Sequence, residues 1–467
     1  MGITRNFNPY IIFVVSIVSL AGLLFGYDTA VISGAEQSVQ KYLVDSLNLG
    51  SFIHGFTVSS ALIGCIIGGA ISGLFADLIG RKKILIVAAI LFTLSAIGSA
   101  YPEAIFFTKD EPSLPLLVMF NIYRIIGGVG VGIGSAIAPV YIGEMTPRSS
   151  RGKFVALYSV AIGLGTLIVY IVNLVIASSS PESWLDDIGW RYMFASELVP
   201  ALLFFIFLFF VPETPRHLVM KNNSNKAEYV LKQIFSNSKE ALNTLKDIKE
   251  SSIGIKRDKL FAYGKFVIFL GVAIAIFQQL LGINIIMYYA PRVFETMGAE
   301  GVASFFQTVI VGVINVVFMS LSLLFIDKSG RKPLLIWGST ICAISLLLVA
   351  TLSYMDIYGL TTLIGILVFI AAFQMTWGSV TWPLVSEIFP NSIRGKAVSL
   401  ATGLHWTANL TVSTTFPYLN NLMGSVSFAI YGIFSIISLF FIWKLVPEAK
   451  GQTLESLESL WNKRRVL

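Results

Sequence analysis

Asp28 is an ionisable residue deep inside the first long apolar stretch of the chain, which begins near Tyr10. A charge in hydrocarbon is costly, so an ionisable residue at that depth is functional more often than not. Arg124 is the only cationic side chain that we place within an apolar stretch. A carboxylate whose distance from an arginine changes also changes its affinity for protons, so Asp28 could couple helix movement to proton binding. A permanent buried salt bridge is the alternative.

Three amide side chains, Gln278, Gln279 and Asn284, lie within one short segment of a later apolar stretch. Amides donate and accept hydrogen bonds, as sugar hydroxyls require, and they are costly in lipid unless they have partners. A water-filled cavity is therefore a natural place for them, and unwinding of the helix at Gly282 would bring Gln278 near Asn284. Hydrogen bonding between helices is the alternative.

Charged residues recur in the same order in the two halves of the chain. The segment 77–82 returns at 327–332, and the segment 144–153 returns at 387–396. Arginine pairs with carboxylates through two hydrogen bonds, and small helix movements can break such pairs, so these junctions could latch one conformation. The alternative is that the charges only fix membrane topology. The predicted latch residues are Asp77, Arg81, Glu144, Arg151, Glu213, Asp327, Arg331, Glu387, Arg394 and Glu448.

Long apolar stretches separate these junctions and must position them. The chain has 467 residues, of which 55% are hydrophobic and 13% charged, and this is too apolar for a soluble protein. A helix needs about 20 apolar residues to cross a bilayer. The sequence predicts an all-α membrane protein whose twelve transmembrane helices form two six-helix halves, an architecture typical of transporters. The helices are predicted near 10–34, 53–76, 84–101, 115–141, 154–177, 190–211, 264–290, 302–326, 333–354, 360–386, 396–420 and 426–446.

The 33 Lys and Arg residues predict the orientation, because most of them lie in loops on one side of the membrane. The basic residues placed on the other side are Lys41, Lys109, Arg191 and Arg292. The positive-inside rule therefore puts both termini in the cytoplasm.

One polar insert, residues 213–263, has apolar residues at helical spacing. This pattern predicts two or three amphipathic helices on the cytoplasmic face, and a solvated linker is the alternative. The predicted domains are a six-helix bundle over 1–212, the helical insert over 213–263, a second bundle over 264–446 and a cytoplasmic tail over 447–467.

An ordered set of motifs carries a resemblance to one family. The motifs are Gly80-Arg81-Lys82 after Asp77, Tyr123-Arg124, Glu144 with Arg151-Gly152-Lys153, Pro212-Glu213-Thr214-Pro215-Arg216, Gln278-Gln279-x-x-Gly282-x-Asn284, 327–332, Glu387 with Arg394-Gly395-Lys396, and Pro447-Glu448-x-Lys450-Gly451. Together they resemble the sugar porter family of the major facilitator superfamily over nearly the whole chain. The segment 25–34 is especially similar to the family's bacterial xylose/proton symporters. The resemblance implies the major facilitator fold, with the insert as the family's intracellular helical domain.

The same resemblance implies roles for residues within the spans. It makes Arg124 the partner of Asp28, and Glu197 is expected to tune that pair. Sugar facilitators of the family usually lack the carboxylate, so Asp28 favours proton coupling. The implied sugar ligands are Gln278, Gln279, Asn284, Tyr288, Asn315, Trp382, Trp406 and Asn409.

Three further candidate sugar contacts depart from the pattern of the xylose symporters. Thr166 and Ser159 occupy fifth-helix positions where the resemblance leads us to expect Gln, and His405 precedes Trp406 where we expect Gln. A wider cavity with fewer amides would suit another sugar, and His405 adds a group that titrates near neutral pH. A histidine satisfied within the protein core is the alternative for His405.

The sequence therefore predicts a transporter of the cell membrane that imports a monosaccharide, xylose or a related pentose or hexose, coupled to protons by alternating access. A proton-independent sugar facilitator is the first alternative, and a non-transporting sugar sensor is a less favoured one. The sequence lacks clustered metal ligands, a nucleophile–base set and a phosphate loop, so we expect neither an enzyme nor a cofactor. The expected partners are the sugar, protons and the bilayer, without nucleic acid, and the protein is expected to be a monomer.

Overall fold

The computed structural model describes residues 8–104, 106–108, 111–147, 149–179, 181–235, 237–251 and 258–448. Within these residues the regular elements are helices. Eleven helical stretches are long and apolar enough to cross a membrane, and the last of them, Arg394–Leu445, contains two helices joined by a short turn at Gly424–Ser427. The described residues therefore contain the twelve spanning helices that the sequence predicts.

Six spanning helices form each half, and three short helices in the described residues lie between the two halves in sequence. The first half comprises α1 (Pro9–Val39), α2 (Ser51–Ile79), α3 (Arg81–Ala100), α4 (Leu114–Glu144), α5 (Arg151–Ser178) and α6 (Leu185–Phe210). The short helices are α7 (Pro215–Met220), α8 (Ser224–Ile234) and α9 (Ser238–Ser251). The second half comprises α10 (Lys265–Thr296), α11 (Val302–Ser329), α12 (Arg331–Tyr354), α13 (Leu360–Ile388), α14 (Arg394–Met423) and α15 (Phe428–Leu445).

Several helices are longer than the sequence predicts, most clearly α1 and α10. Helix α1 continues beyond the predicted end at residue 34 because Glu36 and Gln37 find partners on α10 and remain in the helix. Helix α10 likewise continues beyond residue 290 to Thr296 and includes Arg292. Apolarity marks where a helix enters lipid, whereas these polar helix ends lie against other helices.

Glycines bring helix backbones into direct contact within the first half. A Cβ atom added at Gly128 of α4 would lie 1.8 Å from the carbonyl oxygen of Ala61 on α2. At Gly26 of α1, it would lie 1.9 Å from the carbonyl oxygen of Ile162 on α5. Such close approach of small residues is a common source of helix association in membranes. The α2–α4 and α1–α5 pairs therefore have no room for side chains at these points.

The repeated charged junctions have the same backbone geometry in the two halves. Gly80 follows α2 with φ +107°, and Gly330 follows α11 with φ +86°. A residue with a Cβ atom is strained at these angles, so glycine is required for the sharp turn into the next helix. The sequence repeat is thus a structural repeat.

The surface helix α8 packs against the start of α1, and α7 and α9 pack on α8. Ala227, Val230, Leu231 and Ile234 form the buried face of α8, as the helical spacing predicts. The Asn8 side-chain amide donates to the carbonyl oxygen of Gln233 at 2.5 Å. We call the side of the molecule that holds α7–α9 and the described chain ends the basic face.

The two halves touch each other close to the face opposite the basic face. Ser51, at the start of α2, accepts a hydrogen bond from the Asn421 amide of α14 at 2.6 Å. Gln37 of α1 donates to Glu295 of α10 at 2.6 Å. Nearby on α2, a Cβ added at Gly55 would lie 2.0 Å from the carbonyl oxygen of Thr414 on α14. The structure is therefore closed on this opposite face.

Candidate functional site

A hydrogen-bonded network of amides occupies the point where α10 unwinds. Gly282 is in the left-handed conformation with φ +86°, which breaks the helix after Leu280. The Gln279 amide donates to Gln278 Oε1 at 2.6 Å, and Gln279 Oε1 accepts from Asn284. The predicted break is therefore present, but it brings Asn284 to Gln279 rather than to Gln278.

His405 of α14 connects this network to the backbone of α10. Its Nε2 lies 3.0 Å from the Gln279 amide nitrogen, and its Nδ1 lies 3.2 Å from the carbonyl oxygen of Ala275. These distances fit a neutral imidazole that donates from Nδ1 and accepts at Nε2. Both ring nitrogens are thus engaged within the protein, which supports the alternative that His405 is satisfied and holds Gln279 in place.

Aromatic rings line the same region and span the two halves. The Trp382 and His405 rings lie 5.0 Å apart between centroids, and the Trp406 ring lies 5.8 Å from that of Phe25 on α1. Asn409 donates to the Tyr288 hydroxyl at 3.2 Å. Aromatic faces of this kind pack against the C–H groups of a sugar ring while the amides hydrogen-bond its hydroxyls.

The remaining candidate sugar contacts fall into two groups. Asn315 of α11 is buried, its side-chain oxygen has no hydrogen-bond partner within the described part of the chain, and it lies close to Gly163 of α5. Thr166 instead donates its hydroxyl to backbone carbonyls, with Gly26 at 3.3 Å. Ser159 is half-buried on α5. The structure thus places Asn315 between the halves and engages Thr166 within the first half.

The predicted ionic pair is present within the first half. Arg124 Nη1 lies 2.7 Å from Asp28 Oδ1, and Nη2 donates to the Asp28 carbonyl oxygen at 3.0 Å. Both residues are buried, and the Arg124 guanidinium lies 5.3 Å from the centre of the Phe194 ring. Glu197 is also fully buried and interacts electrostatically with both members of the pair. All three predicted coupling residues therefore form one cluster.

Four of the five predicted latch residues of the first half meet at the basic face. Arg81 lies 3.3 Å from Glu144 and 2.9 Å from Asp77, and the Glu213 carboxylate accepts the backbone N–H of Arg81 at 3.0 Å. Arg151 is exposed at the start of α5. Burial raises the pKa of the Glu213 carboxyl. Burial of His217 and the nearby Arg81 guanidinium, 3.2 Å from His217 Nδ1, lower the pKa of His217.

The second half repeats this arrangement with its own residues. Arg331 pairs with Glu387 at 3.0 Å, and Glu448 accepts the backbone N–H groups of Arg331 and Lys332. Arg394 donates to the carbonyl oxygen of Phe389 at 3.2 Å. The side chain of Asp327 lies outside the described part of the chain. These described latch contacts join elements of the same half, so their role in holding one conformation stays a prediction.

Sequence reasoning missed Phe25 and three residues near the opposite face: Glu36, His54 and Arg292. Phe25 stands in the segment 25–34 that carried the resemblance, so its position beside Asp28 was the available signal. The sequence predicts that Arg292 lies in an external loop, because the apolar stretch ends near it. In the structure Arg292 is held inside the interface by Glu36 on the other half.

The described residues form twelve spanning helices in two halves, with an amide and aromatic site between the halves and a buried ionic pair within the first half. This is the architecture of a secondary transporter of the major facilitator class. Residues 14–461 match the family described as "Sugar (and other) transporter". The chain belongs to this family, which confirms the predicted sugar porter and its fold.

Known proteins of this kind are similar along their whole length. The D-xylose-proton symporter of Escherichia coli (strain K12) is 45% identical, with 98% of this chain and 97% of that protein covered. The arabinose-proton symporter of Bacillus subtilis (strain 168) is 38% identical, with 99% and 97% covered. The structure of the E. coli xylose transporter in an inward-open conformation matches with a TM-score of 0.89 at 45% identity, covering 97% of this chain and all of that one.

Proposed function

We propose that this protein imports a monosaccharide of the xylose, arabinose or glucose type together with a proton, by alternating access. The observation that carries the proposal is the buried Asp28–Arg124 pair at 2.7 Å, which lies within one half while the sugar-binding groups lie between the halves. Symport of xylose and of arabinose by similar proteins supports the same reading. The basic face is cytoplasmic in this proposal, with both termini on that side, in accordance with the positive-inside rule.

The proton site follows from the electrostatics of the pair. Removing one partner of a buried ion pair leaves an uncompensated charge, which costs about 3–5 kcal/mol. A proton on Asp28 neutralises the carboxylate and weakens its contact with Arg124, so proton binding is coupled to helix movement within the first half. The structure, closed on the extracellular side, holds the paired form. Proton release to the cytoplasm therefore restores the Asp28–Arg124 contact after import.

The sugar site follows from the amide network at the break in α10. Gln278, Gln279 and Asn284 exchange hydrogen bonds with one another, and sugar hydroxyls can replace them one for one. Trp382 and Trp406 supply the faces that pack against the sugar ring. Because all of these groups come from one chain, a monomer is sufficient. The domains 1–212, 213–263, 264–446 and 447–467 then act as two moving halves, a surface insert and a tail.

Uptake into proteoliposomes tests the proposal. Labelled xylose, arabinose, glucose and galactose are offered with and without an inward proton gradient. We expect at least one of them to accumulate above equilibrium only with the gradient. Equilibration that ignores the gradient would make the protein a facilitator, and sugar binding without movement would make it a sensor.

Replacing Gln279 by Ala should weaken sugar binding at least tenfold. Gln279 contacts Asn284 and the buried Gln278 and His405, so its loss leaves three polar groups without this partner. Isothermal titration calorimetry of the purified protein measures the change in the dissociation constant for the sugar. Asn173→Ala is the matched control because it also removes a buried amide, one that donates to the Val31 carbonyl oxygen within the first half. Equal losses in the two variants would show that Gln279 does not contribute to the sugar site.

A further inference from the structure

Glu36 of α1 lies at the extracellular contact between the halves and is completely buried. Arg292 of α10 holds it with two hydrogen bonds, from Nε to Oε1 and from Nη2 to Oε2, both 2.7 Å long. Arg292 also donates to Gln40 at 2.6 Å. This bidentate ion pair joins the first half to the second, so the extracellular side cannot open without separating Arg292 from Glu36.

His54 of α2 is the second partner of Glu36 and belongs to the same half. Its Nε2 lies 2.8 Å from Glu36 Oε2, and the whole side chain is buried. Its Nδ1 has no hydrogen-bond partner among the described residues. A neutral imidazole that donates from Nε2 therefore has a free lone pair at Nδ1, and this nitrogen can accept a proton without breaking the contact to Glu36.

Other charged groups at this site already have partners. Glu295 accepts from Gln37 at 2.6 Å and from Ser304 at 3.1 Å, and Lys41 pairs with Asp186 at 2.7 Å. Asp45 accepts from Gln40 at 3.3 Å. Glu295 lies on α10 and withdraws with Arg292, whereas Lys41 and Asp186 both belong to the first half and stay paired, so Lys41 does not become the counter-ion of Glu36.

The aromatic neighbour of His54 is also engaged. The Tyr289 ring lies edge-on to the His54 ring, 6.2 Å away between centroids, and its hydroxyl donates to the carbonyl oxygen of Ser413 at 2.9 Å. A polar cavity of about 410 Å³ lies beside Arg292, so water reaches the outer side of the Arg292–Glu36 contact. Its lining residues are Gln37, Gln40, Lys41, Asp45, Arg292, Glu295 and Thr296.

We propose that Glu36 and His54 form a second proton-binding site, used when the extracellular side opens. As Arg292 withdraws with the second half, His54 Nδ1 takes a proton from external water, and the imidazolium becomes the counter-ion of Glu36. On closure Arg292 returns and the proton goes back to the same side. The proton is therefore not carried across the membrane, but it makes external acidity favour the outward-open state. The inference rests on the orientation in the proposed function.

The test measures opening directly, without sugar movement. Spin labels are placed at two exposed positions, Ser46 of the first half and Leu422 of the second. Pulsed electron–electron double resonance measures the distance between the labels, which reports how far the extracellular side is open. The protein carries Asp28→Asn to remove the first proton site. Between pH 8 and pH 5.5 we expect the ratio of wide to narrow distances to rise, by at most about tenfold per pH unit for one proton.

Two variants and one control decide the outcome. His54→Gln should abolish the pH response, and Glu36→Gln should abolish it while raising the wide population at every pH. Asn421→Ala removes another contact between the halves, the one to Ser51, and should change the populations but keep the pH response. A response that survives in His54→Gln or Glu36→Gln, or that is absent from the Asp28→Asn parent, overturns the inference. Failure of sugar uptake is a separate result, because the distances are measured without sugar.

Discussion

Asp28→Asn should abolish accumulation of the sugar while sugar exchange continues. With an inward gradient of one pH unit, one proton per sugar supports about tenfold accumulation, because one unit is worth about 1.36 kcal/mol. Asparagine keeps the shape of the side chain but binds no proton, so the gradient has no group to act on. The accumulation ratio in proteoliposomes should therefore fall from about ten to about one.

Counterflow exchange in the same vesicles separates coupling from folding. A variant that has lost only its proton site still exchanges labelled for unlabelled sugar. Asp186→Asn is the matched control, because Asp186 pairs with the half-exposed Lys41 at the surface, where an ion pair contributes little. This control should accumulate sugar like the parent. Gradient-driven accumulation by Asp28→Asn would mean that the pair with Arg124 is a permanent structural salt bridge.

Gly55→Leu should stop transport by preventing closure of the extracellular side. The added Cβ alone would lie 2.0 Å from the Thr414 carbonyl oxygen of the other half, and that oxygen belongs to a helix backbone that cannot move aside by itself. The halves would have to stay apart at this point. Uptake should fall at least tenfold, whereas purified protein should still bind the sugar from the extracellular side.

Gly69→Leu provides the comparison on the same helix. A Cβ at Gly69 meets no atom within 4 Å, so the new side chain enters open space. Both changes replace a helical glycine by leucine and improve helix propensity to the same degree. Gly69→Leu should transport like the parent, and similar uptake by the two variants would show that closure does not require contact at Gly55.

The fold was largely predictable from the sequence because lipid imposes a simple rule. Each span must be a run of apolar residues that satisfies its own backbone, so the number of helices can be read directly. The repeated junctions around Arg81 and Arg331 also indicated the two halves. Helix ends were not predictable, since the partner that keeps Glu36 helical is Arg292, far away in sequence.

The site was predictable in its parts but not in its connections. Asp28 and Gln279 are conspicuous because charged and amide groups are rare in spans. Sequence could not show that His405 holds Gln279, or that Thr166 donates to the backbone of α1, because these contacts depend on helix rotation. The role of His54 was invisible for the same reason, since one histidine near a helix start has no local pattern.

Packing inside the first half and contacts between the halves affect two different properties of the protein, its stability and its rate of turnover. Where Gly26 and Gly128 bring backbones together, any added atom is resisted, so this half behaves as one stiff body. At the joint where the halves meet, close packing at Gly55 is combined with hydrogen bonds such as those of Gln37 to Glu295 and Asn421 to Ser51, and water can replace these hydrogen bonds when the halves separate. Mutations in the stiff body should therefore change how much protein survives in the membrane, and mutations in the joint should change how fast each surviving molecule turns over.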